Sequence, residues 1–363
     1  MIQAVESISV ADIPDTMRAL ELRAYDARPE SLVAVDRPVP RPGRGQVLIR
    51  VAAASINPSD LMFVRGLYGF RKELPAIPGF EGSGTVVAAG AGLMPRILLG
   101  RRVACAASEA HNRFGTWAEY VVTSAQTVVP ISRSVDSERA AMMLVNPLSA
   151  WALVEIARRG HHRAIIQTAA ASALGRMVVR LGRRFSLPVI NVVRRLEQAE
   201  ELRALGAKHV VVSTDAHFDR QLTLLARRLG ATLALEAVSG DLTRRVLDAM
   251  PRGGQVLVYG ALSLEAAQLN PAALIFEDKR AAGFWLTQWL RGMSLWDRFR
   301  VARQVQGMLA GDLQSQVQAR VPLEAGSEAL ERYARNMSAG KVLFVPSLGV
   351  TSGNPRIETT DQR

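Results

Sequence analysis

Cysteine is nearly absent: Cys105 is the only one in 363 residues. One thiol excludes an internal disulfide framework, cannot provide the paired cysteines of a structural zinc site, and suits a reducing cytoplasm. Long hydrophobic runs are missing as well, because every apolar stretch is soon cut by arginine, glycine or proline. No membrane span is therefore expected, and no membrane partner. The opening MIQAVESISVADIPDT carries Glu6, Asp12 and Asp15 and has neither a basic start nor a long apolar core. It does not read as a secretory signal, and folded structure is expected from Met17. The third absence is of any basic block. The net charge is +12, but the arginines are scattered as pairs such as Arg101/Arg102, Arg158/Arg159 and Arg183/Arg184. Nucleic acid is not the expected partner; a basic surface that attracts an anionic substrate, such as an acyl-CoA or an acidic carrier protein, fits the pattern better, and plain arginine-rich usage fits it better still.

What is present is an ordinary globular composition, 48% apolar and 21% charged, in a chain longer than a single core usually organises. Two domains are the default. From Met17 to about Val145, short apolar runs such as LELRAYD, VLIRVAAASI, GSGTVVAAGAG and WAEYVVTSAQTVVPI lie between proline and glycine clusters, the pattern of a mostly β domain. From Ser137 the texture turns helical in SERAAMMLVNPLSAWALVEIA. Six strand-like runs then follow (RAIIQTA, LPVINVV, HVVVS, LALEAVS, GQVLVYGAL, RAAGFWL), separated by stretches of helical period. That alternation predicts an α/β fold with a doubly wound parallel sheet. A helix over 296–309 leads to ARVPLEAGSEALERYARNMSAGKVLFVP, a strand, helix, strand run expected to rejoin the first domain. The expected division is an N-terminal extension 1–16, a mostly β catalytic domain 17–146 with 311–346, a dinucleotide-binding domain 147–310, and a mobile tail 347–363.

Two stretches carry chemistry. VINVVRR (189–195) follows the loop QTAAASALG (167–175) at the spacing of a dinucleotide-binding βαβ unit. Ala170, Ser172 and Gly175 occupy the three small-residue positions, which lets the backbone amides of the next helix, starting at Ala173 and Leu174, approach a pyrophosphate. Arg194 and Arg195 stand 19 and 20 positions past Gly175, where a cation favours a 2′-phosphate and hence NADPH over NADH. An alanine-rich turn without a ligand, followed by an ordinary exposed arginine pair, is the alternative that pattern alone leaves open.

PGFEGSGTVVAAGAG, INPSD, VNPLSAW, GTWAEYVV, LRALGA, VYGAL and AGKVLFVP together resemble the medium-chain dehydrogenase/reductase superfamily, and within it the zinc-free quinone oxidoreductases and 2-enoyl thioester reductases. The likeness runs from about Met17 to Pro346. It implies a GroES-like β domain flanking a Rossmann domain, with the active site in the cleft between them. Zinc-containing members carry a GHE motif; here it reads Gly79-Phe80-Glu81, and the 55–60 stretch has no cysteine. Three protein ligands cannot be assembled, so no metal is expected. Cys105 reads as a packed thiol, and the five histidines, His161 and His162 among them, read as surface.

Without a metal, the suitable acceptor is a conjugated C=C, which takes hydride at its β carbon if the carbonyl oxygen is stabilised and the α carbon protonated. A tyrosine hydroxyl serves both tasks. Tyr68 sits where the thioester reductases that this segment resembles carry their active-site tyrosine, although quinone reductases often carry one there too. The resemblance also places Asn57 near the nicotinamide ribose or substrate, and Asn146 and Ser149 against the cofactor; a routine turn residue before proline and ordinary helix-start residues are the alternatives. The resemblance puts Tyr259, Gly260, Ala261 and Leu262 on the adenosine side, Phe284 and Trp285 beside the nicotinamide in a segment that helps form a homodimer, and Lys341 reaching back toward the cofactor; core packing of Phe284 and Trp285 and a solvated turn lysine at 341 are the alternatives. The expected function is a cytoplasmic, NADPH-dependent, zinc-independent reductase of an enone or enoyl thioester. A quinone reductase of the same fold and a non-catalytic, crystallin-like dinucleotide-binding protein are the alternatives.

Overall fold

The structure, a computed structural model, describes residues 13–26, 28–107, 113–350 and 358–359. Most of the expected N-terminal extension and C-terminal tail lies outside the described residues. The chain divides into two compact units, Met1–Val145 with Ser315–Arg363, and Asn146–Gln314.

The first unit is organised around one long strand. β1 (Thr16–Leu22) and β2 (Leu32–Pro38) form an antiparallel pair, and β3 (Gln46–Ser55) runs through the centre of the unit. After β3 come α1 (Pro58–Val64), β4 (Glu81–Ala89), α2 (Leu93–Leu98), β5 (Arg102–Ala106), β6 (Tyr120–Ser124), β7 (Val128–Pro130) and α3 (Ser137–Ala141). β3 pairs with β4 along its length, with β6 over its first half and with the returning C-terminal segment at its last residues. Its apolar side chains pack with Phe63, Trp117, Tyr333 and Phe344 in the unit's main core.

The second unit opens with α4 (Asn146–Arg159) and then alternates strand and helix: β8 (Ala164–Gln167), α5 (Ala173–Arg184), β9 (Val189–Val193), α6 (Leu196–Ala204), β10 (His209–Val212), α7 (Phe218–Leu229), β11 (Ala231–Glu236), α8 (Asp241–Ala249) and β12 (Gln255–Val258). It closes with α9 (Pro271–Phe276), β13 (Arg280–Gly283), α10 (Leu286–Arg291) and α11 (Leu295–Met308). The sheet is parallel throughout, in the order β10-β9-β8-β11-β12-β13. Every residue of β8 and β9 is buried, as expected of central strands covered on both faces. The chain then returns to the first unit as β14 (Val317–Val321), α12 (Gly326–Arg335), β15 (Lys341–Phe344) and β16 (Glu358–Thr359), extending that unit's sheet to β16-β14-β15-β3-β4-β5-β7.

Two expectations are corrected. The helical run from Ser137 is two helices, because the Leu144 and Val145 amides donate to the Glu81 carboxylate at 2.8 and 2.9 Å and cannot continue a helical ladder. His162 is not a surface side chain: it is half-buried, its Nδ1 lies 2.8 Å from Thr232 Oγ1, and burial lowers its pKa.

Candidate active site

In the second unit the strand order reverses direction between β8 and β11, and such a switch point opens a crevice beyond the strands' carboxyl ends. The chain leaves β8 through Thr168 and through Ala169, whose φ of 47° is a left-handed conformation that alanine seldom adopts. Ala170 then anchors to β9, its N–H donating to Val192 O at 3.2 Å. Ser172 caps α5, its hydroxyl accepting from the Gly175 N–H at 3.1 Å. A Cβ on Gly175 would sit 2.6 Å from the carbonyl carbon of Ala170 and 2.7 Å from its Cα, so helix and loop approach as closely as only glycine allows. Gln167 locks that approach by donating to Gly175 O at 3.0 Å and to Asn191 Oδ1 at 2.7 Å. The first-turn amides of α5, including Ala173 and Leu174, have no acceptor one turn back in the helix, and the first turn carries no acidic residue. This end of α5 is suited to an anion.

The chain leaves β9 at Arg194 and Arg195, both exposed, their backbone amides each donating to Gln198 Oε1 at 3.2 Å. Arg195 has Glu197 at 4.0 Å, a distance that leaves its guanidinium open to another anion. At the end of β11 the buried Glu236 accepts from Thr168 Oγ1 (3.0 Å), Val238 N (2.8 Å), Ser239 N (2.9 Å) and Thr243 Oγ1 (3.2 Å), which stiffens the opposite lip. The turn after β12 is tied to that lip: Tyr259 N donates to Glu236 O at 2.8 Å, Leu262 N to Ala237 O at 3.0 Å, and Gly260 packs on Ala237. The Tyr259 hydroxyl is buried without a hydrogen-bond partner, and burial together with Glu236 raises its pKa, so it stays protonated. Ala261 and Phe284 are half-buried, while Leu262 and Trp285 are exposed. Thr168, Glu236, Gln167 and Asn191 were not singled out in the sequence; the available signal was a polar residue inside or at the end of an apolar strand run.

In the first unit, Glu81 opens β4 and has no exposed surface. Its Oε1 accepts from Ser55 Oγ at 2.6 Å and Asn57 Nδ2 at 3.0 Å, and its Oε2 from the Leu144 and Val145 amides. The other end of the Asn57 amide, Oδ1, accepts from Lys341 Nζ, which also donates to Ile56 O at 3.2 Å. Asp60 completes the cluster, accepting from Asn57 N at 2.8 Å and Phe80 N at 3.0 Å, and burial raises its carboxyl to about 7. Burial also lowers the pKa of Lys341. The structure places Asn57 and Lys341 inside the first unit. Neither has exposed surface, both ends of the Asn57 amide are engaged within the unit, and the lysine is the cationic partner of a buried carboxylate network. Asn146 and Ser149, in the first turn of α4, are also buried.

Tyr68 follows α1 and is half-buried. Its ring packs 4.7 Å from Phe80 and 5.1 Å from Phe70, and Phe80 in turn touches Phe63. The phenyl ring at the second position of Gly79-Phe80-Glu81 is thus the floor on which Tyr68 rests.

Residues 43–133 match the alcohol dehydrogenase GroES-like domain, and residues 173–300 match the zinc-binding dehydrogenase domain. The mitochondrial enoyl-[acyl-carrier-protein] reductase of Xenopus tropicalis is 31% identical over 304 residues, covering 81% of this chain and 85% of that protein. The chain belongs to the medium-chain dehydrogenase/reductase superfamily, in its zinc-free branch. Among solved members of this superfamily, an NADPH:quinone reductase from Mesorhizobium loti is 33% identical with a TM-score of 0.84, covering 92% of this chain and 99% of that one. A mycobacterial protein solved in complex with NADPH is 25% identical with a TM-score of 0.76, covering 91% and 100%.

The name of the second matched domain implies zinc, and the donor set does not fit it. Phe80 offers no ligand atom, four donors occupy both oxygens of Glu81, and burial pushes the Cys105 thiol up to about 12. Among the described residues no three metal-ligating side chains are grouped. A dinucleotide fits better: the second unit offers an acid-free helix start, two exposed arginines and an orphaned tyrosine hydroxyl at one end of a parallel sheet.

Proposed function

We propose that this oxidoreductase uses NADPH to reduce the activated C=C of an α,β-unsaturated carbonyl, an enoyl thioester or enone, without a metal. The observation that carries the reading is the fate of Phe80 and Glu81. The carboxylate is consumed by structural hydrogen bonds, and the neighbouring phenyl supports a tyrosine, so the electrophile left to the site is a hydroxyl donor. Arg194 and Arg195 bind the 2′-phosphate, the α5 amides from Ala173 and Leu174 hold the pyrophosphate, and Tyr259 donates its buried hydroxyl to the dinucleotide. The cofactor, when bound, supplies hydride to the β carbon of the acceptor. Tyr68 donates a hydrogen bond to the carbonyl oxygen, where negative charge gathers, and its proton is the source for the α carbon. Phe70 and Phe80 hold its ring in place and keep water from that side.

A homodimer is proposed through β13. This edge strand is exposed at every residue, and its outer ladder groups are open to a second copy. A buried free thiol suits the cytoplasm as the site of action. No helix among the described residues is long and apolar enough to cross a membrane.

The test is NADPH consumption with crotonyl-CoA, a simple enone and a benzoquinone, in the parent protein and in Tyr68→Phe. The proposal expects turnover of the conjugated carbonyls and a loss of about 100-fold in Tyr68→Phe. Turnover of the quinone alone would make the protein a quinone reductase, and unchanged turnover in Tyr68→Phe would remove that residue from the chemistry.

A further inference from the structure

We propose that α2 and the loops beside it form a docking face for an anionic bilayer surface. α2 turns Pro95 and Leu98 into the core, as a short amphipathic helix should. Its other face, however, is not polar. Leu93 is 77% exposed, Ile97 60%, Leu99 49% and Met94 43%, so four large apolar side chains project from about two turns of chain. Single exposed apolar residues are common, but a contiguous group marks a contact surface.

The surroundings say what kind. Arg96 lies on the helix itself, and Arg101 and Arg102 follow it; all three are exposed. The 41–45 loop packs beside the helix start, since Gly45 N donates to Ala91 O at 2.8 Å and Gly90 lies against Gly43 O, and it brings Arg41 and Arg44. On the other side Ile131 N donates to Arg102 O at 3.0 Å, which brings Arg133. The three segments involved, 39–48, 90–106 and 124–135, contain no aspartate or glutamate. None of these arginines has a carboxylate partner among the described residues.

Apolar side chains flanked by arginines without carboxylate partners, of which, among the described residues, Arg102 alone is tied to a backbone carbonyl, Val135 O at 2.8 Å, match an anionic membrane interface, where leucine, isoleucine and methionine side chains enter the acyl boundary while guanidinium groups meet lipid phosphates. A second copy of the chain is disfavoured, because a two-fold contact through this face would oppose one set of arginines to another. A span is not implied: the proposed contact is with the surface of the bilayer.

The experiment is co-sedimentation of the full chain with vesicles of phosphatidylcholine alone or mixed with phosphatidylglycerol, at low and high salt. The proposal expects binding only to the anionic vesicles, weakened by salt. Leu93→Ser/Ile97→Ser should lower the partition coefficient at least tenfold, and Arg96→Gln/Arg101→Gln about 25-fold, at roughly fivefold per charge. NADPH consumption and melting temperature should remain unchanged in both, since all four side chains are exposed. Three results would overturn the proposal: no binding to anionic vesicles; binding that the serine pair leaves intact, which is adsorption of a basic protein; or tight, salt-sensitive capture of an acidic carrier protein that displaces the vesicles.

Discussion

Gly175→Ala tests the cofactor half of the site at its tightest point. A methyl group there would face the backbone of Ala170, with its carbonyl carbon at 2.6 Å and its Cα at 2.7 Å. Backbone cannot rotate away as a side chain can. The Ala170 carbonyl oxygen lies closer still, so restoring ordinary contact near 3.4 Å requires the loop and α5 to separate by about 1 Å. The same movement strains the Ala170 N–H bond to Val192 O and the Gln167 bond to Gly175 O, which hold turn, helix and β9 together. Overpacking of this kind costs about 2 kcal/mol, which lowers the melting temperature of a unit this size by about 4–8 °C. Affinity should fall further, because displaced amides no longer converge on a phosphate; losing one charge-assisted hydrogen bond weakens NADPH binding about ten- to hundredfold. Thermal melts with and without NADPH, and a fluorescence titration of NADPH, read both effects. Gly307→Ala is the control: this exposed glycine lies in α11, nothing stands within 4 Å of its added methyl, and the substitution should stabilise by about 0.5–1 kcal/mol. An unchanged Tm and Kd in Gly175→Ala would mean that helix and loop do not meet as described.

Arg194→Ala/Arg195→Ala should raise the KM for NADPH by about 10- to 100-fold while leaving that for NADH within about twofold; equal losses with both cofactors would place the pair elsewhere. Tyr259→Phe should act with opposite signs, raising the stability of the free protein by about 1 kcal/mol because a buried, unpartnered hydroxyl is removed, and weakening NADPH binding because a donor is lost; calorimetry that shows the same sign for both excludes the assignment. Arg280 N and Phe284 N donate to the β12 side, so by alternation the Ala281 N–H faces outward, and Ala281→Pro should yield a folded monomer on gel filtration. Glu81→Gln, though isosteric, should destabilise by about 2–4 kcal/mol, since its amide must turn a donor toward other donors. Burial lowers Lys341 and raises Asp60; without the Glu81 charge, which raises both, Lys341 falls further and Asp60 falls back toward the ordinary carboxylate range. The variant's deficit therefore grows as pH drops through the Lys341 titration and through 7, and a deficit constant with pH would separate Glu81 from the lysine.

Much of the second unit was legible. Parallel strands covered on both faces must be almost wholly apolar, so β8 to β13 stand out as short runs between helical periods. Their order was less accessible, because IIQ and VINVV read alike whichever neighbour they pair with. The break between α3 and α4 left one local trace, the Asn146-Pro147 step at the start of α4. Its cause is a carboxylate at position 81, far back in the chain, that takes the amides of Leu144 and Val145. The outward face of α2 was hidden: LMPRILL has the composition of a core segment, and only tertiary packing decides that two of its six apolar side chains go in and four come out.

Glu81 shows what a buried carboxylate requires when its neighbour offers no ligand atom. In GFE the phenyl removes a ligand atom, yet the carboxylate remains, and a buried carboxylate without compensation is strongly destabilising. The fold compensates with four hydrogen-bond donors on its two oxygens and, one residue further out, with the Lys341 ammonium acting through the Asn57 amide. That arrangement has a structural yield. It ties β3, β4, β15 and the end of the first unit's N-terminal segment to a single point, with Asp60 fixing the start of α1 beside it. α1 leads directly into Tyr68, so the position of the proposed proton donor is set by a network built on what the motif kept, and by a ring, Phe80, built on what it lost.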